Sequence, residues 1–179
     1  MSLGGSLNEA LNLAVSNATK AGVHMVVSAG NSNANACLHS PASTPEAVTV
    51  AASDINDKLA GFSNFGKCVD IIAPGVDIVS ASNQANDTYR SLSGTSMSAP
   101  HVTGAIATTL HAYPSLTTVE MTDLLVKHSN RDKILDPKGS PNSLLYISEI
   151  GDLPHVTTNV DYQVIRYPRK YMSVLGSAY

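Results

Sequence analysis

The chain has 179 residues, a formal net charge of −3 and only 14% charged residues. That length can bury a core without help from a metal or disulfide, and the mildly acidic balance lacks the basic footprint of a nucleic-acid binder. The longest apolar run, 22–29, is interrupted by His24 and Ser28 and falls far short of the roughly 20 residues that cross a bilayer, so neither nucleic acid nor a membrane is an expected partner.

The first ten residues, MSLGGSLNEA, have no basic segment followed by an apolar one, so no secretory signal is expected within this chain. Apolar residues Leu7, Leu11, Ala14, Val15 and Ala18 recur at helical spacing, which predicts a helix over 7–21 with Ser6 as N-cap and Gly22 as its stop. A buried strand is predicted over 23–29, rich in β-branched residues and ending at Gly30-Asn31. Further strands are predicted over 47–52, 69–73 and 77–81, the last two separated by Pro74-Gly75.

The segment 95–113 reads as a helix packed inside the domain, with Ala99, Val102, Ala105, Ile106, Thr109 and Leu110 on one face and Pro100 near its start. Thr117 and Glu120 form a T-x-x-E capping box ahead of a last helix that runs to about Ser129, with Asn130 as its stop. Residues 144–147 suit a short strand. From Asp152 onward no period is sustained, and the tail is weakly specified. The whole reads as an α/β fold with a mainly parallel sheet flanked by helices.

The two cysteines, Cys37 and Cys68, match neither a zinc pair nor a redox Cys-x-x-Cys; the residues alone leave open one disulfide or two buried thiols. More informative is Ser93-Gly94-Thr95-Ser96-Met97-Ser98-Ala99-Pro100-His101, in which a turn containing glycine delivers a serine onto the first turn of a helix. Unpaired N–H groups and the positive end of the dipole there favour an alkoxide or an oxyanion. Taken alone, Thr95 or Ser96 could equally be an ordinary helix cap.

This stretch, continued by Val102-Thr103-Gly104, closely resembles the nucleophile signature of the subtilases, the serine peptidases of family S8 with a Ser-His-Asp triad. The resemblance implies that Ser96 is the nucleophile. It also implies that Asn31, in Ser28-Ala29-Gly30-Asn31-Ser32-Asn33, supplies the side-chain donor of an oxyanion hole, although a Gly-Asn pair by itself is commonly a turn. Ser2, Leu3 and Gly4 resemble one substrate-binding wall of this family, and Ser28, Ala29 and Gly30 the other, with glycines leaving backbone bare for a substrate strand. Ser40-Pro41-Ala42-Ser43, Phe62-Ser63-Asn64-Phe65-Gly66 and the run from Asp70 to Gly75 match further blocks in order, so the resemblance covers 1–150.

Within the family the chain is most similar to the fungal proteinase K and cerevisin branch. That resemblance implies a structural calcium held by the carbonyls of Pro45 and Ala47 and by Asp70, although Asp70 taken alone could be an ordinary hydrogen-bonded acid. It implies a Cys37–Cys68 disulfide of the cerevisin type, no cofactor for the chemistry, a polypeptide substrate, and a secreted or vacuolar location. The sequons at Asn17 and Asn86 have meaning only on that route.

In this family the Asp and His of the triad precede the substrate-binding segment, and no Asp-Ser/Thr-Gly or His-Gly-Thr occurs here. His101 follows Ser96 by five residues, about 140 degrees around a helix, so it should face away. His24, His39, His111, His128 and His155 offer no argument as a base. The expectation is therefore the C-terminal part of a catalytic domain over 1–150 with a 151–179 tail, lacking the N-terminal strands and helices. Met1 matches what is ordinarily an internal position, which suggests a fragment. Such a chain carries the nucleophile and oxyanion hole of a serine endopeptidase and needs a missing N-terminal half for its Asp and His. The alternative is a noncatalytic remnant, a pseudo-protease that binds peptides.

Overall fold

The computed structural model describes residues 1–147, so the expected domain limit at 150, the 151–179 tail and His155 lie outside the described residues. In chain order the elements are β1 (Gly5–Ser6), α1 (Glu9–Lys20), β2 (Val26–Ser28), a 3-10 turn (Ala36–Leu38), β3 (His39–Ser40), β4 (Val48–Ser53), β5 (Ile71–Pro74), β6 (Ile78–Ala81), β7 (Tyr89–Leu92), α2 (Thr95–Ala112), α3 (Thr118–His128), β8 (Asn130–Arg131) and β9 (Ser143–Leu144).

The main sheet has the order β2-β4-β5-β9-β8. Neighbours from β2 through β9 run parallel, with Val26 opposite Val48 and Val50 opposite Ile71, and only β8 is antiparallel. All six residues of β4 are buried, as a central strand covered on both faces requires. Alternate side chains serve opposite faces. Val48, Val50, Ile71 and Ala73 pack against Val102, Ala105 and Ile106 of α2 and Met121 and Leu125 of α3. Ala51, Ile72 and Leu144 face a second cluster with Leu59, Val69 and Ile134. Each fully buried Val, Ile or Met contributes about 1.5 to 3 kcal/mol, so this central layer is the rigid base of the molecule.

The first helix starts later than its apolar spacing suggests. Asn8, not Ser6, is the N-cap, its carboxamide oxygen accepting from Leu11 N–H at 2.9 Å. Ser6 is instead in β1, which pairs with β3, and Leu7 is left exposed ahead of the helix. The predicted stop holds: Gly22 has φ of 94°, and Gly22 and Val23 donate back to Thr19 and Ala18, closing the helix end. At α3 the capping box is formed in both directions between Thr117 and Glu120.

Residues 78–81 do not join the main sheet. They form an exposed antiparallel hairpin with β7, in which Val79 and Tyr89 are largely solvent-facing. The expectation of a buried strand there is corrected: Pro74-Gly75 turns the chain out of the sheet after β5. The strand predicted over 144–147 is reduced to Ser143–Leu144, whose neighbours are β5 and the unforeseen β8. Cys37 and Cys68 are joined in a disulfide with a Cα–Cα distance of 5.3 Å.

Candidate active site

Three chain turns meet at one end of the parallel sheet: the exit of β2 at Gly30-Asn31, the exit of β5 at Pro74-Gly75, and the start of α2 at Gly94. Carboxyl ends of parallel strands are where α/β sheets build their sites. Backbone bonds tie the turns together. Gly94 N–H donates to the Gly75 carbonyl at 2.7 Å, and Gly75 N–H to the Ser53 carbonyl at 2.9 Å. Gly75 is buried so closely that a Cβ would lie 2.7 Å from Ala52 Cβ and 2.9 Å from Gly94 O. Only glycine lets the head of α2 sit on β4 and β5.

Ser96 is the second residue of α2, so its N–H has no intrahelical acceptor. Its hydroxyl is half-exposed and donates to the Ser2 carbonyl at 3.3 Å. Ser2 answers in the reverse sense, its hydroxyl donating to the Ser96 carbonyl at 2.8 Å. Pro100 explains why that carbonyl is free: it stands four residues on and has no N–H to give.

Asn31 is exposed, but its carboxamide is oriented. The oxygen accepts from Thr95 N–H and from the Thr95 hydroxyl, each at 2.8 Å, while the Thr95 hydroxyl oxygen also accepts from Gly30 N–H at 3.1 Å. With Oδ1 committed, Nδ2 is the end left to donate. A Cβ placed on Gly94 would lie 3.3 Å from Asn31 Nδ2 and 3.7 Å from Ser96 N, so both donors border the small space that this glycine keeps open. Gly94 itself has φ of 156°.

Ser2, Leu3 and Gly4 run beside β2 on the side away from β4. Ser28 N–H donates to the Met1 carbonyl at 3.1 Å and the Ser28 hydroxyl to the Leu3 carbonyl at 3.3 Å. Residues 1–4 are all exposed, whereas Ser28 and Ala29 are buried. The two predicted wall segments are thus adjacent, and both come within reach of Ser96, through Ser2 on one side and through Gly30 and Thr95 on the other.

Three of the described histidines have partners of their own. His101 Nδ1 pairs with the Met97 carbonyl at 2.8 Å, one turn along α2, and His39 Nδ1 with the Asn35 carbonyl at 3.2 Å. His24 lies just before β2 rather than inside it, half-buried, and its burial holds it below the usual imidazole range despite a bond to the Leu116 backbone.

Asp70 is apart from these residues. Its Oδ2 accepts from Thr49 N–H at 2.7 Å, and its own N–H donates to the Thr49 carbonyl at 2.9 Å. Burial pushes its carboxyl up to about 6, against the lowering effect of the Thr49 N–H. Thr49 follows Ala47 closely in the chain, so Asp70 is anchored beside the segment that carries Pro45 and Ala47. Among the described residues no three His, Cys, Asp or Glu side chains come together as a metal cluster.

Two residues at the site escaped sequence reasoning. Thr95 was visible only as a helix cap, yet it orients Asn31. Asn64 was visible only as part of a matching block, yet it is completely buried behind the Asn31 turn. Neither has a signal in periodicity, because each acts through bonds to residues distant in the chain.

The family model described as "Subtilase family" matches residues 1–146. Cerevisin from Saccharomyces cerevisiae is 43% identical over 159 residues, covering 82% of this chain and 25% of cerevisin. The extracellular serine proteinase of Thermus sp. Rt41A is 45% identical over 147 residues, covering 82% of this chain and 36% of the relative. The crystal structure of a cold-adapted subtilisin-like serine proteinase superposes with a TM-score of 0.81 at 44% identity, covering 83% of this chain and 54% of that one. The chain therefore spans only about a quarter to a third of these curated relatives. With an α/β fold of subtilisin type, a Gly-Thr-Ser turn at the head of a buried helix and a family match running almost to the end of the described residues, this chain belongs to the subtilases.

Proposed function

We propose that this chain is the nucleophile-bearing part of a serine endopeptidase. Ser96 Oγ attacks the scissile carbonyl carbon of a polypeptide, and the carbonyl oxygen that becomes negative is received by Asn31 Nδ2 and Ser96 N–H. The observation that carries this reading is the orientation of Asn31: Thr95 takes up its oxygen, which turns the amide nitrogen toward the space bordered by Ser96 N. Such a donor is worth about 3 to 4 kcal/mol of transition-state stabilisation. Ser2-Leu3-Gly4 and Ser28-Ala29-Gly30 flank the substrate strand.

The proton of Ser96 must go to a histidine held by an aspartate, and in this reading both come from residues outside the described ones, in a longer chain or a complementing polypeptide. Without them an oxyanion hole and binding leave about 10³- to 10⁴-fold over water, negligible for a peptide bond. Residues 1–150 form the catalytic portion and 151–179 an appended tail. The extracellular relative supports a secreted or vacuolar route, on which Asn17 and Asn86, both exposed, become glycosylation acceptors.

Calcium fits beside Asp70. A half-buried carboxylate with one backbone donor and a raised pKa is a charge that lacks a counter-ion, and oxygen donors suit this cation. Asp70 with the carbonyls of Pro45 and Ala47 would hold it, and its contribution is to brace the loop before β4, with no part in the chemistry.

A second reading, a noncatalytic peptide-binding remnant, is favoured by one observation: the Ser96 proton is donated to a carbonyl, which cannot act as a base. The experiment is hydrolysis of a tetrapeptide p-nitroanilide by this chain, alone and mixed with the N-terminal half of the Thermus relative. Turnover only in the mixture, abolished by Ser96→Ala, supports the peptidase; no turnover from a folded, associated mixture supports the remnant.

A further inference from the structure

The Gly30-Asn31 turn is not held by its own sequence. Gly30 has φ of 103°, and Asn31 and Ser32 are exposed, so the loop needs an anchor from beneath. Asn64 stands there, completely buried, and its side chain is bonded at both ends. Its Oδ1 accepts from Ser32 N–H at 2.9 Å and Ala34 N–H at 3.0 Å, while Nδ2 donates to the Ala29 carbonyl at 2.8 Å. Its backbone N–H donates to the Gly30 carbonyl at 2.8 Å. Asn64 therefore grips the chain on both sides of Asn31 without touching the Asn31 side chain.

The fit is tight enough to explain the glycine. A Cβ on Gly30 would collide with Asn64 Nδ2, so the small residue and the buried amide require each other. Further bonds hold Asn64 itself in place. Asn33 N–H donates to Phe62 O at 2.8 Å, and Phe65 and Ala34–Ala36 exchange backbone bonds at 3.0 and 2.9 Å. The Lys138 ammonium donates to Asn33 Oδ1 at 2.7 Å and lies 5.3 Å from the centroid of the Phe65 ring. The Cys37–Cys68 disulfide closes the far end of the same two loops.

We propose that Asn64 is the positioning residue of the oxyanion donor: through the backbone of Ala29, Gly30, Ser32 and Ala34 it sets where Asn31 Nδ2 stands relative to Ser96 N. This rests on the reading of Asn31 given above. Thr95 fixes which end of the Asn31 amide points outward, and Asn64 fixes the height and angle of the turn that carries it. A buried amide with both ends satisfied permits one geometry, and loss of either end leaves a backbone group without a partner.

The test has one arm that needs no activity and one that does. In this chain, ¹⁵N-labelled, Asn64→Ala should speed hydrogen exchange at the Ser32 and Ala34 amides by about tenfold or more and shift the Asn31 side-chain amide resonances, with Met121 and Leu125 amides of α3 unchanged. Unmoved Asn31 resonances with unchanged exchange overturn the proposal even if the peptidase reading also fails. In the complemented enzyme, Asn64→Ala should lower kcat about 10- to 100-fold with KM within about twofold, and the loss should vanish in an Asn31→Ala background. Additive losses, or a change confined to KM, would contradict it. Should Asn64→Ala fail to fold, Asn64→Asp keeps the shape and the two acceptor bonds and sets a carboxyl oxygen against the Ala29 carbonyl in place of the donor, and the same readouts apply.

Discussion

Ser2 and Ser96 hold each other by two hydrogen bonds of opposite sense, Ser2 Oγ to Ser96 O at 2.8 Å and Ser96 Oγ to Ser2 O at 3.3 Å. The first fills a vacancy made by Pro100, which removes the N–H that a regular helix would offer to the Ser96 carbonyl. The head of α2 and the N-terminal segment are thus joined because a helix carries a proline. Ser2→Ala should lower stability by about 1 kcal/mol in urea denaturation, and by less in a Pro100→Ala background, where the helix supplies its own donor. Equal losses in both backgrounds would separate Ser2 from Pro100.

Thr95 gives two of its bonds to one oxygen of Asn31 and is itself completely buried. In the complemented enzyme Asn31→Ala should reduce kcat about 10²- to 10³-fold with KM little changed, since the donor acts on charge that develops only in the transition state. Thr95→Val keeps the backbone bond and loses the hydroxyl, so its effect should be about tenfold. A Thr95→Val loss as large as that of Asn31→Ala would mean that the hydroxyl has a role of its own.

Much of this was legible in the sequence, and the reasons differ by element. The α3 capping box and the Gly22 stop are local and were read correctly, because cap chemistry is set by residues three or four apart. The start of α1 was misread, since Ser6 and Asn8 are both good caps and only tertiary pairing of β1 with β3 decides between them. The strand at 77–81 is legible but not its exposure or its partner β7, and the short pairing of β8 with β9 has too little alternation to fix its bounds. Ser96 and Asn31 are proposed from motifs, and the structure brings them to the same end of the sheet. Asn64 and Thr95 were not singled out, because a polar residue that positions another across 30 to 64 positions leaves no pattern in either segment.

Asp70 predicts a pH dependence with a definite sign. Its folded pKa is raised from 3.8 to about 6, so the folded chain binds more protons than the unfolded one between these values. Its contribution is fully present below the unfolded pKa and is lost as pH rises through about 6. In calcium-free buffer Tm should fall across this window, and added calcium should restore it at pH 7 to 8 but not near pH 4. Asp70→Asn should flatten the slope and abolish the calcium response; a calcium response that survives the substitution would place the ion elsewhere.

The disulfide joins residues separated by 31 positions and ties the loop after β2 to the segment before β5. Closing a loop of this size restricts the unfolded chain by about 3.5 to 4 kcal/mol. Reduction, or Cys37→Ser with Cys68→Ser, should lower stability by about that amount in urea denaturation and loosen the Asn31 turn. An unchanged midpoint would show that the loops are held by Asn64 and Lys138 alone.

If Ser96 is a nucleophile whose histidine comes from a longer chain or a complementing polypeptide, its reactivity should depend on that addition. Labelling with a fluorophosphonate probe, mapped by peptide mass and controlled by Ser96→Ala, tests it most directly. No labelling of the purified chain alone is expected, and labelling at Ser96 once the N-terminal half of the Thermus relative is added. Labelling of Ser96 in the isolated chain would contradict this dependence, and would assign the base to a histidine that this chain carries itself.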